Sequence, residues 1–348
     1  MRLSSSILVS LIVLCAPASA YAQDGDFGDY HQLDRVLSGP NVTSGGQSPR
    51  YSAWGACELA EPNEAISECT RLLDGGLYPK SDRVDVLILR ADAYVSLGDF
   101  DRARADYDEA IQLIEDDPRV SNVLQRRPIY QLGLKRTNPL RQKYADALRK
   151  YANFSMLAGQ HEETIPRLQE AVRLDPSIFR SHYLLGSAYL FAKNPDAATS
   201  SLLTAIKLNE RPHAYRELGF AQVMRGDFTL ALEAFQIADQ RKPSGAPRAL
   251  IAYGYSLIGR ADKAARLLRA TETLAESSEE VAPPHLALAY LAAGKFEESL
   301  HWFNASVENQ AMPEGGRLIL AIVAENMMSD PTLEQPEFVE MRNRLRAR

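Results

Sequence analysis

From Val84 onward the chain reads as runs of apolar residues spaced three and four apart, interrupted by short polar breaks. That spacing places the apolar side chains on one face of a helix, so each run predicts an amphipathic α-helix. The breaks resemble one another. Gly98-Asp99-Phe100 recurs as Gly226-Asp227-Phe228, and related breaks stand at Gly159-Gln160-His161, Gly259-Arg260-Ala261 and Gly294-Lys295-Phe296. Lys193-Asn194-Pro195 fills the slot between Gly159 and Gly226. The steps from Gly159 onward are then 34, 33, 33 and 35 residues. A period near ~34 residues is that of a helix-turn-helix repeat.

The flanking residues keep the same register. Before each break lies a small residue: Ala91, Ala152, Gly186, Gly219, Ala252 or Ala287. Three positions on stands Tyr94, Tyr189, Tyr255 or Tyr290, with Ser155 and Gln222 as departures. After the break comes a second small residue, such as Ala103, Ala198 or Ala231, and four positions later a bulky one, such as Tyr107, Leu202 or Phe235. Small residues let two helices approach, and the bulky side chain fills the space between them. Glycine in the break suits a helix-terminating conformation that a side chain disfavours. Pro176 and Pro243 then stop the second helices, with Glu210 once in place of proline and Pro118 a few residues late.

This pattern resembles the tetratricopeptide repeat family, over roughly two-thirds of the chain from Val84 to about Pro313. Leu185-Gly186, Tyr189, Ala198 and Ala205 carry the resemblance in one repeat; Leu218-Gly219, Gly226, Phe228, Ala231, Phe235, Ala238 and Pro243 carry it in the next. The resemblance implies an all-α fold, a right-handed superhelical solenoid of antiparallel helix pairs whose first helices line a concave face. Two regions depart from the period. Ala91 to Ala152 spans 61 residues, one repeat plus an insert of about 27. That insert, 118–144, holds Arg119, Arg126, Arg127, Lys135, Arg136, Arg141 and Lys143, and no acid after Asp117. It reads either as a site for an acidic partner or as a solvated connector. At the other end, 314–348 reads as two capping helices, Arg317 to Met328 and Glu337 to Arg346, covering the last open face.

Before the first full repeat, 51–80 reads as a truncated unit with Trp54, Cys57, Ala65, Ile66 and Cys69. Pro62 sits near the start of its helix, which runs to about Leu73 and ends at Gly75-Gly76. The unit resembles the cysteine-paired N-terminal repeat of some exported bacterial repeat proteins. Arg2, the apolar run Ile7 to Ala16 and two small-x-small sites, Ala18-Ser19-Ala20 and Ala20-Tyr21-Ala22, form a signal peptide over 1–22. Leu14 stands where a lipoprotein signal carries a small residue, so Cys15 is not expected to bear lipid. Residues 23–50, rich in glycine and polar side chains, read as a flexible linker. Export leaves Cys57 and Cys69, an even count that reads as a disulfide. Secretion, to a bacterial periplasm, is the expected location, with no stable membrane span.

Charge and chemistry narrow the function. The net charge of −6 becomes −7 with loss of Arg2, a poor field for nucleic acid. There is no glycine-rich phosphate loop and no His-Glu-x-x-His, and the histidines are scattered. No catalytic residue, metal site or cofactor is therefore expected. Counting along each first helix places Arg149, Asn153, Tyr183, Ser187, Arg216, Phe220 and Tyr253 on an exposed inward side, a binding groove for a protein or peptide partner with acidic character. A carboxylate clamp for peptide C-termini is incomplete, because Leu184 and Glu217 occupy positions where it wants basic residues. The expected function is a non-enzymatic protein–protein interaction scaffold of the cell envelope. Two other classes compete with it: a structural subunit bound through the basic insert or the terminal surfaces, and an enzyme whose site is assembled only by folding.

Overall fold

The breaks between helices determine the architecture. In a computed structural model of the chain, Gly98, Gly226, Gly259 and Gly294 have φ of 76°, 83°, 74° and 74°, and Lys193 takes the same left-handed conformation at 62°. A β-carbon costs roughly 1–2 kcal/mol in this region, which is why glycine recurs there. Each of these residues donates its N–H to a carbonyl three positions back, and the following residue donates to one five positions back. Asp99, Asn194, Asp227, Arg260 and Lys295 thus reach the carbonyls of Tyr94, Tyr189, Gln222, Tyr255 and Tyr290 at 2.8–3.0 Å. This is the Schellman arrangement, and it satisfies carbonyls that the end of a helix would leave orphaned. Asp99 and Asn194 then cap the next helix, each accepting from a backbone N–H three residues on at 3.2 Å. The residues at the Tyr94 register also brace the turn. Arg102, Lys263 and Lys295 lie 4.6, 5.3 and 5.6 Å from the ring centroids of Tyr94, Tyr255 and Tyr290.

The structure describes residues 57–58, 61–75, 80–118, 139–157, 161–243, 245–277 and 283–308. The signal peptide and linker expected at 1–50, most of the basic insert, and the C-terminal caps lie outside them. The described residues are helical, with no strand, and fall into two units. The first holds α1 (Pro62–Asp74), the pair α2 (Lys80–Ser96) and α3 (Phe100–Glu115), and α4 (Pro139–Leu157). The second begins with α5 (His161–Leu174). Four pairs follow: α6 (Phe179–Phe191) with α7 (Pro195–Leu208), α8 (Pro212–Arg225) with α9 (Phe228–Arg241), α10 (Gly245–Leu257) with α11 (Ala261–Ser277), and α12 (Pro283–Ala292) with α13 (Phe296–Glu308). Helices α1, α4, α7, α8 and α12 all open on proline, whose missing N–H costs nothing in a first turn.

Within each pair the small residues do the work expected of them. A β-carbon on Gly186 would stand 2.6 Å from Leu202 Cγ, and one on Gly219 would stand 2.3 Å from the Phe235 ring. The alanines Ala91, Ala103, Ala152, Ala198, Ala231, Ala252, Ala264 and Ala287 are fully buried. In the first unit an aromatic cluster joins α3 to α4, with Tyr107, Tyr151 and Phe154 at centroid distances of 5.6–5.9 Å and Phe100 6.0 Å from Phe154. Helix α1 is held by two arginines of α2. Arg83 donates to the Leu73 carbonyl of α1 and to Glu109 of α3; Arg90 donates to Thr70 of α1 and, through two 2.8 Å bonds, to Asp106 of α3. Helix α4 begins at Pro139, so it takes in the last part of the stretch 118–144 read as the insert. Lys143 is drawn to Asp85 at 2.7 Å and the Tyr144 hydroxyl donates to Glu115 at 2.5 Å, so these residues belong to packed helix.

Gly219→Leu is expected to cost about 1–3 kcal/mol by forcing Phe235 away, as is Ala231→Leu at the facing position. Chemical denaturation of the full chain measures this. Midpoints equal to wild type for both variants would mean that the helices of this pair do not touch at these positions.

Candidate functional site

In each unit, polar side chains close the contact between successive first helices. In the first unit these helices are α2 and α4. Lys143 meets Asp85 at 2.7 Å and Lys150 meets Asp92 at 2.8 Å, and both pairs are 58 residues apart in sequence. The acids and the lysines are each seven residues apart, two turns of helix, so the pairs form a ladder along parallel helices. The Tyr107 hydroxyl also donates to Asp92, and Arg149 pairs with Asp146 on its own helix. Burial raises the Asp85 pKa above the ordinary carboxylate value, against the pull of Lys143. Burial also works to lower the Lys150 pKa, but Asp92 and Asp146 outweigh it and hold the ammonium above its ordinary value.

The second unit closes the seam between α6 and α8 differently. Glu217 on α8 is buried, and one carboxylate oxygen accepts from the Tyr183 hydroxyl at 2.7 Å while the other accepts from Ser187. Tyr183 stacks on Phe179 at 5.8 Å and presents its ring to His213 at 4.7 Å. Further along, Phe235 of α9 lies between Phe220 of α8, at 5.5 Å, and Tyr253 of α10, at 6.3 Å. Burial alone drives the Tyr253 pKa far above that of a free phenol.

Of the residues expected on an exposed groove, Arg149, Tyr183, Ser187, Phe220 and Tyr253 are buried, none more than 6% exposed, while Asn153 and Arg216 are half-buried. The expectation of exposure is corrected for those five. Counting along one helix finds the side turned away from its own partner, but not what the neighbouring helices cover. Tyr183 and Ser187 cross to Glu217 of the next repeat, Phe220 and Tyr253 turn onto Phe235, and Arg149 folds onto Asp146. Arg149 and Asn153 belong to the first unit and the other five to the second. Glu217, the hub of the second seam, was visible in sequence only as an acid at an unwanted position. Its spacing of 34 residues from Tyr183, one repeat, is the signal that links them. Among the described residues no group of three His, Cys, Asp or Glu side chains could hold a metal ion, and no helix is long and apolar enough to cross a membrane. Cys57 and Cys69 are buried, with α-carbons 5.0 Å apart.

Tyr183→Phe removes a donor from a buried carboxylate and is expected to cost about 1.5–3 kcal/mol. A denaturation midpoint equal to wild type would mean that Glu217 draws its stabilisation from elsewhere.

Known proteins place this geometry. Tetratricopeptide repeat family models match residues 84–117 and 183–247. The chain is 30% identical over 99 residues to BBSome complex member BBS4 of Bos taurus, a match covering 28% of this chain and 19% of that protein. It is 25% identical over 186 residues to Superkiller complex protein 3 of Homo sapiens, covering 49% of this chain and 12% of that protein. The matches thus span less than a fifth of the length of these relatives. Among solved structures, the APC/C hetero-tetramer Cut9-Hcn1 is similar in fold, with a TM-score of 0.50 at 17% identity over 88% of this chain and 53% of that one. The chain is therefore an all-α protein of paired helices that carries tetratricopeptide repeats at residues 84–117 and 183–247.

Proposed function

We propose that the protein is a non-enzymatic protein–protein interaction scaffold, exported to the bacterial cell envelope, that holds a peptide or protein partner along the first helices of its repeats. The observation that carries this reading is the construction of those helices. Within each unit they are locked side by side, through Asp92–Lys150 in the first and Tyr183–Glu217 in the second, which stiffens each unit's own surface, while Asn153 in the first and Arg216 in the second stay half-buried. A surface already ordered loses little entropy when a partner docks. Stacked helical repeats supply extended binding surfaces of this kind. Two of the similar proteins are named as members of multi-protein complexes, which agrees with a scaffold. In this reading Arg149 supports the binding surface of the first unit and Tyr183, Ser187, Phe220 and Tyr253 that of the second, and Asn153 and Arg216 make direct contacts, each in its own unit.

The test is a pull-down from the native envelope with the wild-type chain and with an Asn153→Ala, Arg216→Ala variant. Both positions are half-buried, so the variant is expected to melt like wild type and to lose at least one specific partner. A variant that melts normally and keeps every wild-type partner sinks the groove as the binding site.

Export and the cysteine pair belong to the same proposal. Cleavage after Ala22 would deliver the chain to an oxidising compartment, where Cys57 and Cys69 join. The bond closes a loop of about 13 residues and contributes roughly 3 kcal/mol. N-terminal sequencing of exported protein is expected to begin at Gln23, and thiol titration under denaturing, non-reducing conditions is expected to find no free thiol. A retained Ile7 to Leu14 segment would refute export by this signal, and two free thiols would refute the bond.

A further inference from the structure

Helix α1 buries one face. Ala65, Cys69 and Leu72 follow at steps of four and three residues, so they share one side of the helix, and all three are buried. Cys69 is 0% exposed, and Cys57, in the chain before α1, is 2% exposed. Helix α2 ties α1 down just beyond Cys69. Arg90 donates to the Thr70 hydroxyl at 3.0 Å and Arg83 to the Leu73 carbonyl at 3.4 Å. Each arginine is itself fixed from α3, Arg83 by Glu109 and Arg90 by Asp106. Arg83, Leu87 and Arg90 share one face of α2, and Leu87 between them is fully buried.

This arrangement bears on the chemistry open to the Cys57–Cys69 pair. A disulfide is reduced when a thiolate attacks one of its sulfurs, at a rate that depends on access to that sulfur. The attacking thiolate bonds to Sγ of one cysteine, the S–S bond breaks, and the other sulfur leaves as a thiolate that takes up a proton. The second thiol of a dithiol then gives up its proton, closes the dithiol's own disulfide and releases the first cysteine as a thiol. Two electrons pass from the dithiol to the cystine. With both cysteines buried, attack waits until α1 lifts from α2 and breaks the ties at Thr70 and Leu73. The free energy of docking therefore sets how often the bond is open to attack. Such coupling is reciprocal, so the bond favours docking as docking shelters the bond.

We propose that α1 is a redox-gated latch on the first unit, held shut by the Cys57–Cys69 bond together with Arg83 and Arg90, and released by a dithiol reductant that acts only on the lifted helix. The latch rests on the disulfide reading above and adds to it a control on when the bond is broken. Release uncovers the face of α2 that carries Arg83, Leu87 and Arg90, which the oxidised chain keeps closed.

The test follows reduction of the purified, oxidised full chain by dithiothreitol, with free thiols trapped by an alkylating agent and counted by mass spectrometry. Two free thiols before any reductant is added overturn the disulfide reading and the latch with it. Wild type is expected to be reduced at least about tenfold more slowly in buffer than in denaturant. Thr70→Ala, which leaves Arg90 on Asp106, and Arg83→Gln are each expected to speed reduction about fivefold or more. Gly219→Leu, in the second unit, is expected to leave the rate unchanged. In the reverse direction, hydrogen exchange of the α1 amides is expected to quicken on reduction, while that of α8 and α9 stays the same. The latch is overturned, and the bond left standing, by any of three results: both α1 variants reduced at the wild-type rate, Gly219→Leu speeding reduction as much as they do, or α1 exchange unchanged on reduction. Wild type reduced as fast in buffer as in denaturant has the same meaning.

Discussion

The close approach of two helices at a single small residue is the constraint on which the other features of this chain depend. Gly219 has no side chain because the ring of Phe235 occupies the space a β-carbon would take, and Gly186 stands in the same relation to Leu202. Contact this tight fixes the separation of each pair. It also fixes rotation, since only one face of each helix carries the small residue. The turn between them must then reverse the chain within a few residues, and the left-handed residue with its two backward hydrogen bonds does so at every described break. Burial of apolar surface stabilises the pairs by ordinary means. The small residues decide which arrangement that burial favours.

Between pairs the logic changes. Successive first helices meet partly through charges and hydroxyls rather than through small residues. A buried carboxylate such as Glu217 loses hydration that its two hydroxyl partners restore in part. Such contacts add directional specificity where apolar packing alone would allow sliding. Arg83 and Arg90 serve the same end at the edge of the first unit, each bonding α1 and α3 at once from α2.

How much of this was legible in sequence depends on the range of the interaction. The helix pairs, the turns and the helix from Pro62 follow from local spacing, because a Schellman turn and a small-residue contact both lie within one period. Lys193 was assigned to the slot of a glycine by position alone, and its φ of 62° agrees. The seams were not legible in the same way. Exposure at Tyr183, Phe220 and Tyr253 depends on side chains one repeat away or on the neighbouring second helix, and a count along one helix cannot include them. The overlap of the basic stretch 118–144 with α4 has a related cause. Arg141 and Lys143 look like part of a basic run until the partner Asp85, 58 residues before Lys143, is known.

The ladder between α2 and α4 has a further consequence for how the chain can vary. Asp85 and Asp92 meet Lys143 and Lys150 two helical turns apart, so the phase of one helix against the other is set by the contacts and not by the number of residues joining them. Closing a longer loop adds only about 0.6 kcal/mol for each doubling of its length. The segment after α3 is thus free to lengthen or shorten over evolutionary time while the repeats on either side of it stay in step.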